Sequence, residues 1–242
     1  MSYLPRKPYL IALAATFGLV LFYHFGGAIW RPIKLRLAGE KPVGQVLREL
    51  EPSMSGRFQD LETLTDGKPI TILAFKEEQR LELWKRRDAG WVFVRSYPFT
   101  GFSGKPGPKL REGDDQIPEG VYGLEYLNPN SSFHLSIKVD YPNSFDREMA
   151  EADGRERLGY DIFIHGSNAT IGCIPIGDQN IEELFYIVAK NGHQSTTLII
   201  SPSDFRLGKT PPEIDGIDWE VDLYKRIADR LQNYPAADAK QK

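Results

Sequence analysis

Cysteine is almost absent from this chain, which has a single one, Cys173, among 242 residues. One cysteine cannot form a disulfide within the chain, so a fold held together by disulfides is excluded. The four histidines show no His-x-x-x-His spacing, and without further cysteines a structural zinc site is not expected. We therefore predict no metal and no cofactor, and the solitary cysteine becomes a candidate for a reactive thiol.

An excess of positive charge is also lacking. Lysine and arginine number 30 against 33 aspartates and glutamates, which gives a formal net charge of −3. No basic stripe is interleaved with aromatic residues, so no nucleic-acid partner is expected. The balance of 41% hydrophobic and 26% charged residues is typical of a globular chain that can bury a core. Nothing in the sequence indicates an oligomeric state.

Long apolar runs are missing as well, except for one near the N-terminus. Residues 9–30 are mostly apolar and follow Arg6 and Lys7, and about twenty such residues suffice to cross a bilayer. We predict that residues 1–32 form an uncleaved signal anchor, which makes this a single-pass protein of the cytoplasmic membrane. The alternative is a cleavable signal peptide with its small-residue cleavage site at residues 26–28. Basic residues flank both ends of the run, so charge does not decide its orientation.

Three regions are predicted after the anchor. Residues 33–68 form a tether with one short helix, because the apolar positions of residues 43–50 have helical spacing and Pro52 follows them. Residues 69–204 form the main domain, in which short strand-like runs alternate with turn residues. Residues 205–242 form a C-terminal helix and a polar tail. The predicted fold class is mainly β with a few helices (α+β).

Residues 133–140 alternate between apolar and polar side chains, which predicts a strand with one buried face. His134 lies on the polar face, where it is either a functional group or an ordinary exposed strand histidine. The charged segment 146–157 predicts a lid or a helix. Within it, Arg147 is our candidate for contacting a substrate carboxylate.

Residues 161–178 carry the strongest chemical signal in the chain. An apolar run ends in His165 and Gly166, and after a polar loop Gly172 precedes Cys173. Both reactive side chains are therefore expected on short loops at the ends of buried strands, where catalytic groups are commonly held.

This pairing suits nucleophilic catalysis. A nearby imidazole lowers the pKa of a thiol and accepts its proton, so we predict Cys173 as the nucleophile and His165 as the base. Gly172 lets the backbone approach a substrate carbonyl, and its N–H and that of Cys173 are the candidate oxyanion donors. The alternative is that Cys173 is a small buried hydrophobe and His165 a hydrogen-bonded core residue.

Three motifs, which occur along the chain in the order expected for that family, resemble the L,D-transpeptidase catalytic domain family (YkuD-type). The His-Gly and Gly-Cys pairs within residues 165–173 resemble its catalytic element, and residues 104–122 resemble its G-D-x-x-T-P-x-G-x-Y/F segment. Residues 133–147, in which a strand histidine precedes Tyr-Pro-Asn, are similar to the YafK-type subgroup. The resemblance covers about residues 69–200.

The resemblance implies a β-sandwich domain on the periplasmic or extracytoplasmic side of the membrane, with a role in cell wall biogenesis and cell shape. It implies a cysteine acyltransferase that acts on peptidoglycan stem peptides through a thioester at Cys173. It places His134 near the cysteine as an assisting or substrate-binding group, and we add Gly166 and Arg147 as candidate substrate-binding residues. The alternatives are a hydrolase of the same fold, either an L,D-carboxypeptidase or an amidase cleaving a diaminopimelate-linked bond, and a non-catalytic peptidoglycan-binding protein.

The chain departs from the family pattern in two ways. The insertion between histidine and cysteine spans only residues 166–172, and residues 174–176 lack the arginine that usually follows the cysteine. The short loop agrees with the YafK-type branch, whose members are not all cross-linking enzymes. The resemblance therefore defines the nucleophile and leaves the acceptor open.

Overall fold

The structure is a computed structural model that describes residue 16 and residues 39–236. The predicted signal anchor at residues 1–32 lies outside the described residues, apart from Thr16. Among the residues described, no helix combines the length and the apolar character needed to span a bilayer.

Residues 39–236 form nine strands and five α-helices. The strands are β1 (Ile70–Phe75), β2 (Arg80–Arg87), β3 (Gly90–Pro98), β4 (Gly120–Tyr122), β5 (Leu124–Ser131), β6 (His134–Val139), β7 (Phe163–His165), β8 (Ile174–Pro175) and β9 (Thr196–Ser201). The helices are α1 (Val43–Arg57), α2 (Leu61–Leu64), α3 (Ser144–Ala152), α4 (Asp178–Asn191) and α5 (Glu220–Leu231). This mixture confirms the predicted α+β class.

The strands form two sheets, with the orders β3-β2-β1-β9-β4 and β5-β6-β7-β8. Neighbouring strands are antiparallel except for two parallel pairs, β1 with β9 and β7 with β8. Residues 166–173, which we call the His–Cys loop, connect β7 to β8. Both reactive residues of the sequence therefore lie where this short connection meets the second sheet.

Both sheets and helix α4 contribute to one buried cluster. Ile72 of β1, Ile137 of β6 and Leu184 of α4 belong to it and are fully buried. The other face of β1 carries Leu73 and Phe75, which pack in a second cluster with helix α5. Strand β1 is thus covered on both faces, because its side chains alternate between the two clusters.

Helix α1 is longer than predicted and packs into the core. It continues through Pro52, the expected stop, to Arg57. Its Met54 is fully buried in the main cluster, and Arg57 pairs with Glu182 of α4 at 3.0 Å. This packing offsets the cost of a proline inside a helix, about 3 kcal/mol. The tether role of residues 33–68 and the domain boundaries stay predictions.

Residues 99–119, which we call the Gly/Pro segment, have no regular secondary structure but are anchored at a buried ion pair. Lys76 Nζ lies 2.9 Å from Glu119 Oε1, and neither side chain is exposed. Lys76 also donates to two backbone carbonyls of the segment, and Tyr224 of α5 donates to Glu119 Oε2. The segment is therefore held by Lys76, which directly follows β1, and by Tyr224 of α5.

Candidate active site

The register of the second sheet places His165 on the strand next to the one that begins directly after Cys173. His165 pairs with Pro175, two residues beyond Cys173. The neighbouring pair, Ile164 and Ile174, is fully buried in the core. Because side chains alternate along a strand, His165 points to the opposite face, while Cys173 directly precedes β8. The chain leaves β7 at His165 and returns to the neighbouring strand directly after Cys173.

The imidazole of His165 is held in place by its surroundings. It is buried, its Nδ1 is hydrogen-bonded to the Gly166 carbonyl oxygen, and its ring centroid lies 4.7 Å from that of Phe133. A carbonyl oxygen can only accept, so Nδ1 carries the proton and Nε2 keeps a lone pair. Burial lowers the pKa of His165, against the opposing effects of the Gly166 hydrogen bond and the Asp178 charge. The ring is therefore a neutral base at pH 7.

Gly166 has no room for a side chain. A Cβ there would lie 2.6 Å from an Asp178 carboxylate oxygen and 2.7 Å from the Phe133 carbonyl oxygen. Its N–H donates to the Leu135 carbonyl at 3.2 Å. The structure thus shows Gly166 orienting His165 through its own carbonyl, and its predicted contact with substrate stays a prediction.

The thiol of Cys173 is partly exposed, and its hydrogen bond goes to a backbone carbonyl rather than to the imidazole. Sγ donates to the Asp161 carbonyl oxygen at 3.4 Å. Burial raises the pKa of Cys173, while a hydrogen bond from the Phe163 backbone and the charges of Lys138 and Lys109 act in the opposite direction. The lower thiol pKa that a nearby histidine was expected to produce is therefore not seen. Loss of water around the thiolate raises the pKa of Cys173 more than these contacts lower it. The resting site holds a neutral thiol and a neutral imidazole.

Alkylation of Cys173 by iodoacetamide should accelerate as the pH rises, with no plateau near neutrality. Only the thiolate reacts, and burial holds the thiol pKa above its ordinary value of 9.0. Intact mass across a pH series measures the rate without background, since the chain has no other cysteine. A short cysteine peptide provides the curve of an unperturbed thiol. A rate that levels off at neutral pH would instead show a resting thiolate–imidazolium pair.

Lys138 places a buried cation on the same face of the sheet. It pairs with Phe163 across β6 and β7, and its Nζ donates to two backbone carbonyls, one of them that of Tyr160. The ammonium lies 5.5 Å from the Phe163 ring centroid. A positive charge held there favours the negative charge that develops on Cys173. The alternation of residues 133–140 places Lys138 on the polar face of the strand, but no motif in the sequence marks it as a site residue.

Gly172, a predicted oxyanion donor, occupies a position that requires glycine. Its φ is +105°, and a Cβ would lie 2.9 Å from the Gln116 carbonyl oxygen. Its N–H is already engaged, however, because it donates to Ser103 Oγ at 2.7 Å. The N–H of Cys173, the other predicted donor, stays a prediction. A hydroxyl from the Gly/Pro segment therefore adjoins the place where the sequence predicted only backbone donors.

His134 is turned towards helix α4. Its Nε2 lies 2.9 Å from Glu182 Oε1, and Glu182 also accepts a hydrogen bond from Arg57 of α1. A φ of +76° at His134 interrupts the expected alternation. As a result Phe133, expected in the core, stacks on His165. In the structure His134 is paired with the carboxylate of Glu182 and not with Cys173. The role of His134 in substrate binding stays a prediction.

Arg147 lies in helix α3, so the charged segment forms one of its two predicted alternatives. The helix begins at a capping box, in which Asn143 Oδ1 accepts from the Asp146 N–H and Asp146 accepts from the Asn143 N–H. The Arg147 side chain is exposed, and within residues 39–236 its guanidinium forms no hydrogen bond or ion pair. Its contact with a substrate carboxylate stays a prediction.

Two contributors to the site carry no signal in the sequence. Ser103 reaches Gly172 across a separation of 69 residues, and no spacing rule connects them. Asp161 acts through its backbone carbonyl, which any residue would supply. Among residues 39–236 no group of three His, Cys, Asp or Glu side chains is arranged to hold a metal ion.

Comparison with known proteins points to one family. Residues 69–201 match the family model described as YkuD, L,D-transpeptidase catalytic domain. The protein named "Putative L,D-transpeptidase YafK" from Escherichia coli (strain K12) is 37% identical over 124 residues, which are 50% of this chain and 48% of that protein. The protein of the same name from Escherichia coli O157:H7 gives the same values. This chain thus matches about half the length of these relatives.

Solved structures are more distant. The helical cell shape determining protein Pgp2 from Campylobacter jejuni is 21% identical with a TM-score of 0.47, and the match covers 60% of this chain and 50% of that chain. Bd1075 from Bdellovibrio bacteriovorus is 20% identical with a TM-score of 0.43, covering 68% of this chain and 55% of that chain. Similarities of this size carry no functional argument, so the family match rests on sequence.

Proposed function

This chain belongs to the L,D-transpeptidase catalytic domain family (YkuD), and from that premise we propose that it is a cell-wall cysteine acyltransferase acting on peptidoglycan stem peptides. The observation that carries the proposal is the parallel pairing of β7 with β8, in which His165 pairs with Pro175, two residues beyond Cys173. The substrate class comes from the family resemblance, which implies a bond at diaminopimelate as the target.

In the first half-reaction, Cys173 attacks the carbonyl carbon of the stem-peptide bond. His165 Nε2 takes the thiol proton as the sulfur–carbon bond forms, because neither group is ionised beforehand. The π electrons of the carbonyl move to its oxygen, where hydrogen-bond donors beside Gly172 stabilise the charge. The carbon–nitrogen bond then breaks, and the imidazolium of His165 protonates the departing amine. A thioester remains on Cys173.

In the second half-reaction, an acceptor attacks the thioester carbonyl and loses its proton to His165. The carbon–sulfur bond breaks, and the sulfur of Cys173 takes the proton back. An amine acceptor gives transfer, whereas water gives hydrolysis.

We also propose that residues 1–32 anchor the protein in the cytoplasmic membrane, with the domain on its outer side. The support is the apolar run of residues 9–30 and the location of the proposed substrate. Protease protection in intact spheroplasts tests this: added protease should digest the domain and spare the anchor. Full protection of the domain would contradict the proposal.

The test of the activity uses the purified full-length chain with muropeptides and mass spectrometry of both protein and products. We expect a thioester on Cys173 and a joined product that has lost D-alanine. Cys173→Ala, the matched control, should give neither species.

The outcomes separate the alternatives. A product that gains the mass of one water identifies a hydrolase of the same fold. Muropeptide binding without any product or thioester, equal in the wild type and in Cys173→Ala, would refute the catalytic proposal and identify a peptidoglycan-binding protein.

A further inference from the structure

The amide of Gly172 is covered by a hydroxyl group. Its N–H donates to Ser103 Oγ at 2.7 Å, and this is the amide that the sequence assigns to oxyanion stabilisation. A hydroxyl that accepts one hydrogen bond can still donate its own proton. Within residues 39–236 the Ser103 hydroxyl donates to no protein group in this structure, so its O–H remains available to a ligand beside Cys173.

Ser103 is held at this position from both sides. Before it, Thr100 donates from its backbone N to the Pro175 carbonyl at 2.9 Å and from Oγ1 to the Ser167 carbonyl at 2.6 Å. After it, the Lys105 N–H donates to Gln116 Oε1 at 2.9 Å. The Gly/Pro segment is thus tied to β8, to the His–Cys loop and to itself.

Close packing leaves the segment little freedom to move away. A Cβ at Gly101 would lie 2.1 Å from the Asn168 carbonyl oxygen, so the two backbones are in direct contact. The Gln116 carbonyl oxygen in turn lies against Gly172. The contact between Ser103 and Gly172 is therefore part of a packed arrangement, as a preorganised donor requires.

We propose that Ser103 is a further catalytic residue, whose Oγ–H donates to the substrate carbonyl oxygen while the Gly172 N–H donates to Oγ. This inference rests on the proposed function, because it concerns the same acylation step. As the Sγ–carbon bond forms and the π electrons move to oxygen, the Ser103 hydrogen bond becomes a charge-assisted one and strengthens. The proton stays on Ser103, and proton transfer remains with His165.

The decisive variant is Ser103→Ala, compared with Ser103→Thr, which keeps a hydroxyl. Acylation of Cys173 is measured in single turnover with muropeptides and with p-nitrophenyl acetate, an activated ester that needs no peptide recognition. Loss of one oxyanion donor typically costs at least about 100-fold in rate. We expect Ser103→Ala to lose about 100-fold with both reagents, and Ser103→Thr to restore most of the rate.

Alkylation by iodoacetamide is the matched control reaction. It displaces iodide at a saturated carbon and develops no oxyanion, so its rate and pH profile should be the same in Ser103→Ala and the wild type. A parallel fall in alkylation would overturn the proposal, because Ser103 would then act by positioning the thiol. Acylation at an unchanged or higher rate would also overturn it, showing that the hydroxyl only covers the amide.

The ester separates this inference from the proposed function. A wild-type chain that is acylated by p-nitrophenyl acetate but by no muropeptide contradicts the substrate proposal, while a slow Ser103→Ala variant still supports the role of Ser103. A wild-type chain that reacts with neither acyl donor overturns both.

Discussion

Replacing His165 by asparagine should lower kcat/KM for acyl transfer by about 100- to 10,000-fold at neutral pH, the usual contribution of a general base. The resting thiol is neutral because burial raises the pKa of Cys173. Without the imidazole lone pair, the thiolate forms only by free ionisation. Asparagine is the informative substitution, because its amide N–H can still donate to the Gly166 carbonyl that His165 Nδ1 contacts.

The pH profile distinguishes loss of a base from loss of structure. In the wild type, the rate should level off above the pKa of His165, which burial lowers below its ordinary 6.5. In His165→Asn it should continue to rise with pH towards the raised pKa of Cys173. His165→Ala, which also removes the donor to Gly166, should show the same slope. A variant with unchanged kcat/KM, or one whose slow rate is independent of pH, would exclude His165 as the base.

Replacing Glu119 by alanine should lower the free energy of unfolding by about 3–5 kcal/mol, the usual cost of leaving a buried charge without its partner. Lys76 and Glu119 are both fully buried and 2.9 Å apart. The alanine variant leaves the Lys76 ammonium facing only two carbonyl oxygens. Urea denaturation of the full chain measures the loss.

Two controls show whether the charge is responsible. Tyr224→Phe removes only the hydrogen bond to Glu119 Oε2 and should cost about 1 kcal/mol. Lys76→Met combined with Glu119→Leu removes both charges and should recover part of the stability. A Glu119→Ala variant that loses no more than Tyr224→Phe would contradict the argument.

The loss of unfolding free energy caused by Glu119→Ala should also depend on pH. Burial lowers the pKa of Lys76 below the ordinary 10.5 even when Glu119 is present. At a pH between the lowered pKa of Lys76 in the folded state and its ordinary pKa of 10.5, the folded state binds fewer protons than the unfolded state. The stability of the fold therefore rises with pH across that interval. In the variant, which lacks the opposing effect of Glu119, the interval is wider, so this loss should shrink as the pH approaches 10.5.

Sequence patterns within a single strand or a single loop were sufficient to predict much of the site. The alternation of residues 133–140 predicted that Leu135, Ile137 and Val139 are buried, and all three lie in the main cluster. The apolar run before His165 predicted a buried strand, which is β7. These predictions succeed because the periodicity of a strand depends only on adjacent residues.

Features that depend on distant parts of the chain were not predictable. Helix α1 passes through Pro52 because tertiary packing of Met54 outweighs local propensity. The pKa of Cys173 depends on the burial of the whole site, and the contact of Ser103 with Gly172 depends on the path of the Gly/Pro segment. A single sequence contains no periodicity that reports these contacts.

The length of the His–Cys loop can change with little effect on the placement of the reactive pair, which has a consequence for the choice of acceptor. Connections between parallel strands usually need a dozen or more residues and a helix, whereas residues 166–173 suffice here. His165 ends β7 and Cys173 directly precedes β8, so the strand pair sets most of their spacing, and Thr170 Oγ1 donates to the Cys173 carbonyl at 2.7 Å just before the second strand. Ala169, at the exposed middle of the loop, is therefore a position where insertions should be tolerated without moving the reactive pair. Loop length becomes a variable that evolution or an engineer can adjust to change which acceptors reach an otherwise constant thioester.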